Sequence, residues 1–300
     1  MKRTTTGSAR GTGDGEKGLK PALRNLRWRY RRERARLRFG KNALETAPIL
    51  FGNSFPKSGT HLLAQVFQAF PQTGLAIDPG MGPVLTFVAV NGRRRSSEEI
   101  LNDLRRFKPG DMGFGHVVAA PEIREYWCRA EVIHFFMIRD PRDVVVSHAF
   151  FITDKATENV HHQYYKSLSG FEERLSASIL GRPEWGDGFP NVYQRFEAFL
   201  DWMACPWVCT LRFEDFITRR DQAIAAMLDY AVGRGFRLSI PRQAAVDQLA
   251  AAIDPKRSYT FRSGKVGEWR THFTESHKRQ FKQVAGDLLV RLGYEQDSGW

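Results

Sequence analysis

The residues Phe55-Pro56-Lys57-Ser58-Gly59-Thr60-His61 are of the types that hold a phosphate. Lys57 brings a mobile positive charge, Ser58 and Thr60 bring hydroxyl donors, and Gly59 lets the backbone come close to an anion. A helix starting at Thr60 would aim its free N–H groups and its dipole at the same point. The order is Lys-Ser-Gly, which is not the G-x-x-x-x-G-K-[S/T] order of a Walker A loop. Two further segments carry anion chemistry. In Ile138-Arg139-Asp140-Pro141-Arg142-Asp143-Val144-Val145-Val146-Ser147, Arg139 offers a guanidinium able to grip phosphate through two parallel bonds. The segment Phe261-Arg262-Ser263-Gly264-Lys265-Val266-Gly267-Glu268-Trp269-Arg270-Thr271-His272-Phe273-Thr274 sets two glycines in a basic loop, which suits wrapping an anion.

Each segment needs a rigid mount. The apolar run 49–55 predicts a buried strand that feeds the loop, and an apolar helix follows from Thr60 to about Phe70. Residues 131–138 read as a strand, which puts Arg139 at a strand's carboxyl end, where open parallel sheets bind ligands. Pro141 then opens a helix to about Phe151, with Asp140 as its cap. Strands are also expected at 113–118 and 208–213, the latter a buried one entered through Pro206-Trp207. Helices are expected near 97–107, where Ser-Ser-Glu-Glu is a good start signal, and near 191–203, 218–232, 241–252 and 275–291. The rest of 71–110 reads as loop-rich, and 154–188 as variable, ending in a Gly/Pro/Trp loop. Strands alternating with helices imply an α/β fold, a central parallel sheet flanked by helices on both faces.

The strand–Pro-Lys-Ser-Gly-Thr–helix segment resembles the 5′-phosphosulfate loop of sulfotransferases that use 3′-phosphoadenosine 5′-phosphosulfate (PAPS). Residues 139–147 resemble that family's R-[N/D]-P-[K/R]-D-x-x-x-S segment, and 262–274 its R-K-G-x-x-G-D-W-K-x-x-F-T stretch. The three occur in the family's order, and the resemblance covers about residues 47–292. It implies a P-loop-like sulfotransferase fold and in-line transfer of a sulfuryl group to a hydroxyl or amine, leaving adenosine 3′,5′-bisphosphate (PAP). It further implies that Lys57, Ser58, Gly59, Thr60 and His61 bind the cofactor at the first loop, that Arg139, Ser147 and Arg262 hold the 3′-phosphate, and that Ser263 and Gly264 also belong to the cofactor site. Three of the departures from the pattern bear on the ligand. Ser263 stands where the family has lysine, a charge that the neighbouring Lys265 is placed to restore. His61 replaces a second threonine, and Leu62 replaces a tryptophan beside the adenine.

Sulfuryl transfer to a hydroxyl needs a base for the acceptor proton. Many members of the family place a histidine on a short strand between the first two motifs, which here implies His116 as the catalytic base alongside Lys57. A histidine base would titrate at about pH 6–7 before local shifts. Glu122 is the reserve candidate. Among the other histidines, His161 and His162 fall in the expected acceptor region, His134 reads as structural, His148 as facing elsewhere on its helix, and His272 and His277 as surface residues. Trp269 reads as a packing anchor. No His/Cys/Asp/Glu spacing suggests a metal site.

With 300 residues, 42% of them hydrophobic, the chain is long enough for one large α/β domain. Residues 1–50 hold fourteen Lys or Arg against four Asp or Glu, so almost all of the net +12 sits there. We expect a disordered basic tail at 1–20, a basic helical arm at 21–46 and the catalytic domain at 47–300. The arm mixes Leu23, Leu26, Trp28, Tyr30 and Leu37 with a run of arginines. Its simplest reading is a solvated helix on the domain surface; contact with an acidic surface through 21–41 is the other. No sequence-specific nucleic acid is expected as partner. No run is long enough to span a membrane, and no secretion signal is visible. The cysteines Cys128, Cys205 and Cys209 cannot make a disulfide framework, and the latter two read as small core residues. These features point to the cytoplasm. Residues 74–100 and 154–188, with Phe87, Tyr164, Tyr165, Phe171 and Trp185, are expected to form the pocket for a small-molecule, glycan or lipid acceptor. The alternatives from other classes are an ATP-dependent small-molecule kinase and a binding protein for acidic glycan or RNA acting through the arm.

Overall fold

The computed structural model describes residues 15–88, 91–257 and 262–300. Its centre is a parallel sheet of five strands: β1 (Ile49–Ser54), β2 (Val84–Leu85), β3 (Met112–His116), β4 (Val132–Ile138) and β5 (Val208–Arg212). The order is β2-β3-β1-β4-β5, and every pairing is parallel. β1 and β4 are buried along their whole length, as their near-continuous apolar sequence requires of strands covered on both faces. Side chains alternate between two cores. Phe51, Val132, Phe136 and Ile138 point into one, with Trp127, Trp202 and Phe196. Leu50, Ile133, Phe135 and Met137 point into the other, with Phe67, Phe70 and Met227.

The helices cover both faces. α1 (Gly15–Phe39) and α2 (Lys41–Glu45) precede β1, α3 (Thr60–Thr73) follows it, and α4 (Ser97–Leu104) lies between β2 and β3. α5 (Pro121–Trp127) precedes β4, and α6 (Pro141–Asp154), α7 (His162–Ser167), α8 (Phe171–Leu180) and α9 (Val192–Leu200) lie between β4 and β5. The chain ends with α10 (Phe213–Thr218), α11 (Arg220–Gly233), α12 (Arg242–Ala251), α13 (Trp269–His272), α14 (Glu275–Ala285) and α15 (Leu288–Arg291). From β1 the chain runs out to β2 at one edge, returns to β3 beside β1, and then crosses to β4 on the other side of β1. The loops after β1 and β4 therefore open side by side, at the switch point where such sheets hold ligands.

Several expectations change. α1 begins at Gly15, inside the stretch read as a disordered tail; residues 1–14 lie outside the described residues. Its Trp28 Nε1 donates to Asp111 at 3.0 Å, and Arg32 bonds the same carboxylate and the Pro109 carbonyl, so the arm is docked on the domain. Residues 154–188 contain the helices α7 and α8. The helix expected at 275–291 breaks at Gly286, which has φ 53°. β5 is an edge strand and only partly buried, because only β4 pairs with it. Cys128 and Cys205 form a disulfide with Cα atoms 6.4 Å apart, and only Cys209 is free. Cys205 is therefore not a mere core filler, since folding brings it against a residue 77 positions away. No helix among the described residues is long and apolar enough to cross a membrane.

The C-terminal helices are tied to α6 by one buried guanidinium. Arg142 bonds Asp140 at 2.7 Å and Glu295 at 2.5 Å, and lies over the rings of Trp269 and Trp300. Removing it leaves two carboxylates facing apolar rings. Arg142→Leu should cost about 3–5 kcal/mol in urea unfolding; a loss under about 1 kcal/mol would show that the pairs are only surface-grade.

Candidate active site

The loop after β1 is shaped by two left-handed residues, Lys57 at φ 70° and Gly59 at φ 99°. A side chain at 59 would strain the backbone and also collide: its Cβ would lie 2.6 Å from Phe213 and 3.0 Å from Met137. Glycine thus lets α3 start hard against β4 and α10. The Ser58 N–H bonds the Phe55 carbonyl, closing the turn, while its buried hydroxyl has no partner among the described residues. Thr60 Oγ1 meets Ser54 Oγ at 2.8 Å. His61 is exposed at the helix start.

Lys57 has no carboxylate partner among the described residues. Its ammonium lies 3.7 Å from the centre of the Phe151 ring. Burial, with Arg139 and Arg262 adding repulsion, lowers its pKa to about 7. Three cations thus converge where the first and third motifs meet the second. Asp143, Ser147 and Phe151, four residues apart, share one face of α6. Asp143 faces Arg139, and Phe151 underlies Lys57, so Ser147 lies between them.

Asp143 joins the second and third motifs. Its Oδ2 accepts from Gly267 N and its Oδ1 from Trp269 N, both at 2.8 Å, and Arg139 Nη2 is 3.6 Å away. Arg139 in turn donates to the Lys265 carbonyl at 3.0 Å and lies over Phe213. Arg262 stacks over Phe150 and pairs through both terminal nitrogens with Glu268, which also accepts from Ser263 Oγ at 2.7 Å. Gly264 and Gly267 take left-handed φ of 62° and 74°, the turn that wraps this loop onto α6. Lys265 is exposed and contributes its carbonyl.

His116 ends β3 beside the last residue of β1. Its Nδ1 lies 2.8 Å from the Ser54 carbonyl oxygen, which can only accept. Nδ1 therefore carries the proton, and Nε2, 3.4 Å from Thr60 Oγ1, is the basic nitrogen. Burial pushes its pKa down to about 4; the Ser54 bond opposes this, and Lys57 and His61 add to it. The expected titration at pH 6–7 is thus displaced, because apolar surroundings and a cation both disfavour imidazolium. What results is a neutral imidazole at the edge of a cationic cluster. Glu122 is exposed at the start of α5, where it accepts from Ser97 Oγ at 3.4 Å.

Some side chains lie elsewhere than expected. His277 is buried as part of the α14 capping box, its Nε2 against the Glu172 carbonyl. His161 is buried, stacked between Trp185 and Phe189. Tyr165 is fully buried and bonded to Ser178, so it lines no acceptor pocket. Asp140 caps α6 as expected, and Trp269 is a buried anchor under Arg142. The sequence reading gave no role to Ser54, Asp143, Phe151, Phe213 or Glu268. Asp143 and Glu268 had a signal, since each stands inside a quoted motif.

No protein-family model matches the chain, and no curated protein matches it in sequence. Solved structures match in fold. Mouse sulfotransferase SULT7A1, complexed with PAP, superposes with a TM-score of 0.56 at 15% identity, over 84% of this chain and 91% of that one. Retinol dehydratase with retinol and PAP gives 0.53 at 17% identity, over 85% and 86%. The same enzyme with androsterone and the inactive cofactor PAP gives 0.51 at 17%, over 85% of each chain. The chain therefore has the P-loop-like fold of these sulfotransferases.

Asp143→Asn tests the joint between the second and third motifs. An amide of the same shape leaves one buried N–H facing an NH₂ group and removes the charge opposite Arg139. It should cost about 2–3 kcal/mol in urea unfolding and speed proteolytic cleavage within 262–268. A variant within about 0.5 kcal/mol of wild type with unchanged cleavage would show that the loop is held elsewhere.

Proposed function

We propose that this chain is a sulfotransferase that moves a sulfuryl group from PAPS to a hydroxyl or amine of a small-molecule acceptor. One observation carries the reading: Lys57, Arg139 and Arg262 converge beside a neutral His116 whose basic nitrogen faces the same loop. A cluster of three cations, one of them without a carboxylate partner, fits a ligand with several negative charges. The left-handed Gly59, with no room for a side chain, and the unpartnered Ser58 hydroxyl fit a backbone cradle for the 5′ side. That the matched folds hold PAP supports the nucleotide; that two hold retinol or androsterone supports a small acceptor.

PAPS, when bound, supplies an activated sulfuryl group on a phosphate leaving group. This chain's residues do the rest. His116 Nε2 takes the acceptor proton, with Ser54 holding the tautomer through Nδ1. Lys57 and the N–H groups at the start of α3 meet the negative charge that grows on the leaving oxygen; preorganised donors of this kind are worth about 3 kcal/mol each. Arg139, Ser147 and Arg262 hold the 3′-phosphate. Arg262 must first exchange Glu268 for that phosphate, and Ser263 and Gly264 then flank it. This exchange makes the 3′-phosphate, rather than any nucleotide, the group that reorders the loop.

Calorimetry with PAP and AMP tests the nucleotide assignment. Wild type should bind PAP at least about tenfold more tightly than AMP, and Arg139→Ala should lose most of that preference. Equal affinities for the two ligands in wild type would sink the reading.

The pH profile tests the base. His116 accepts a proton only while neutral, and its pKa of about 4 keeps it neutral through the physiological range. At saturating PAPS, whose charge keeps Lys57 protonated, turnover should stay level from about pH 8 down to pH 6 and fall only in more acid solution, as His116 takes up its proton. His116→Asn should retain PAP affinity and lose transfer by orders of magnitude. An active His116→Asn beside an inactive Glu122→Gln would move the base to Glu122.

A further inference from the structure

α1 has two faces. Arg24, Trp28, Arg32, Ala35 and Phe39, spaced by three and four, form the less exposed face that meets the domain. Diametrically opposite stand Leu23, Leu26, Tyr30 and Leu37, exposed by 50, 65, 64 and 85%. At 3.6 residues per turn these four fall within a sector of about 60°. Arg27, Arg34 and Arg38 run along one flank of this ridge, and Arg29 and Arg36 along the other. Arg34 lies over Tyr30, Arg38 turns back to Ser239, and Arg36 is 3.6 Å from Glu33, an acid beside the ridge. Beside the ridge's first residue, Leu23, Arg24, Arg27, Arg31, Pro79 and Gly80 line a cleft of about 310 Å³.

We propose that α1 lies in the headgroup plane of an anionic bilayer, with Leu23, Leu26, Tyr30 and Leu37 inserted and the flanking arginines on lipid phosphates. An apolar ridge between two arginine rows is the pattern of an in-plane amphipathic helix, whose long basic side chains reach back to the interface. Charge complementarity selects this occupant. A second copy of the helix, packed ridge to ridge, would bring arginine rows against arginine rows. RNA would match the arginines and offer no layer for the leucines. The cleft accepts a phosphate headgroup beside the end of the ridge. Because Trp28 and Arg32 bond Asp111, and Arg31 bonds Asp78, insertion would seat the domain itself on the membrane.

Co-sedimentation of the full chain with phosphatidylcholine vesicles, with and without phosphatidylserine, tests this. Wild type should partition at least tenfold more strongly onto the anionic vesicles. Leu26→Ser/Leu37→Ser and Arg27→Glu/Arg29→Glu should each lose at least tenfold, with circular dichroism and Tm as fold controls. Three results would overturn the proposal: no preference for anionic vesicles, undiminished binding by the folded serine variant, or a wild-type dimer in sedimentation velocity that the serine variant dissociates. RNA binding that survives the serine substitutions, without vesicle binding, would reassign the arm to nucleic acid.

Discussion

A single carboxylate, Asp143, holds the candidate site together. It stands in the first turn of α6, buried, and accepts two backbone N–H groups from a loop more than 120 residues later. It also faces Arg139. A buried carboxylate is tolerated only when its lone pairs and its charge are answered. Here the answers are the two amides and the guanidinium, so the residues that satisfy Asp143 are also those that bring the 262–269 loop to the strand ends. Burial raises the Asp143 pKa, and Arg139 and the two amides oppose that rise. By linkage, a carboxyl raised in the folded state contributes most to stability in acid and less as pH rises through its pKa, so the ionised joint carries a burial cost that Arg139 and the two amides offset.

The same logic of burial sets the state of the two groups proposed to act in chemistry. His116 and Lys57 are both pushed toward neutrality, the first to about 4 and the second to about 7. The shifts serve opposite ends. For the imidazole, neutrality is the working state. For the lysine, protonation becomes favourable when an anion arrives, since an opposite charge restores the cation. Positive potential is thus held in the free protein by Arg139 and Arg262, and Lys57 adds its share on demand.

Much of this was legible in the sequence because it is local. The strand–loop–helix around Lys57, the apolar run of β4, the Asp140 cap and the first-turn Pro141 each follow from neighbours within a few residues. What was missed depends on contacts far along the chain. Ser54 orients His116 from an adjacent strand, and Asp143 meets Gly267 and Trp269 only across more than 120 residues. Cys128 meets Cys205 only once α5 and the end of α9 lie together. β5 read as buried because its composition is apolar; nothing in five residues says that a strand has only one neighbour. The arm was read as basic and helical, but not its two faces, since only the docked contacts reveal which stripe is left over.

Phe213 has two tenants. Its ring lies under Arg139 and also fills the space a side chain at residue 59 would need. The loop after β1 and the turn after β4 therefore rest on one floor laid by the residue after β5. In descendants of this sequence, the three positions would be inherited as a set: a lineage that shrank Phe213 would free room at 59 but leave Arg139 without support. Such a lineage would have to rebuild the grip on its anion before it could use the space.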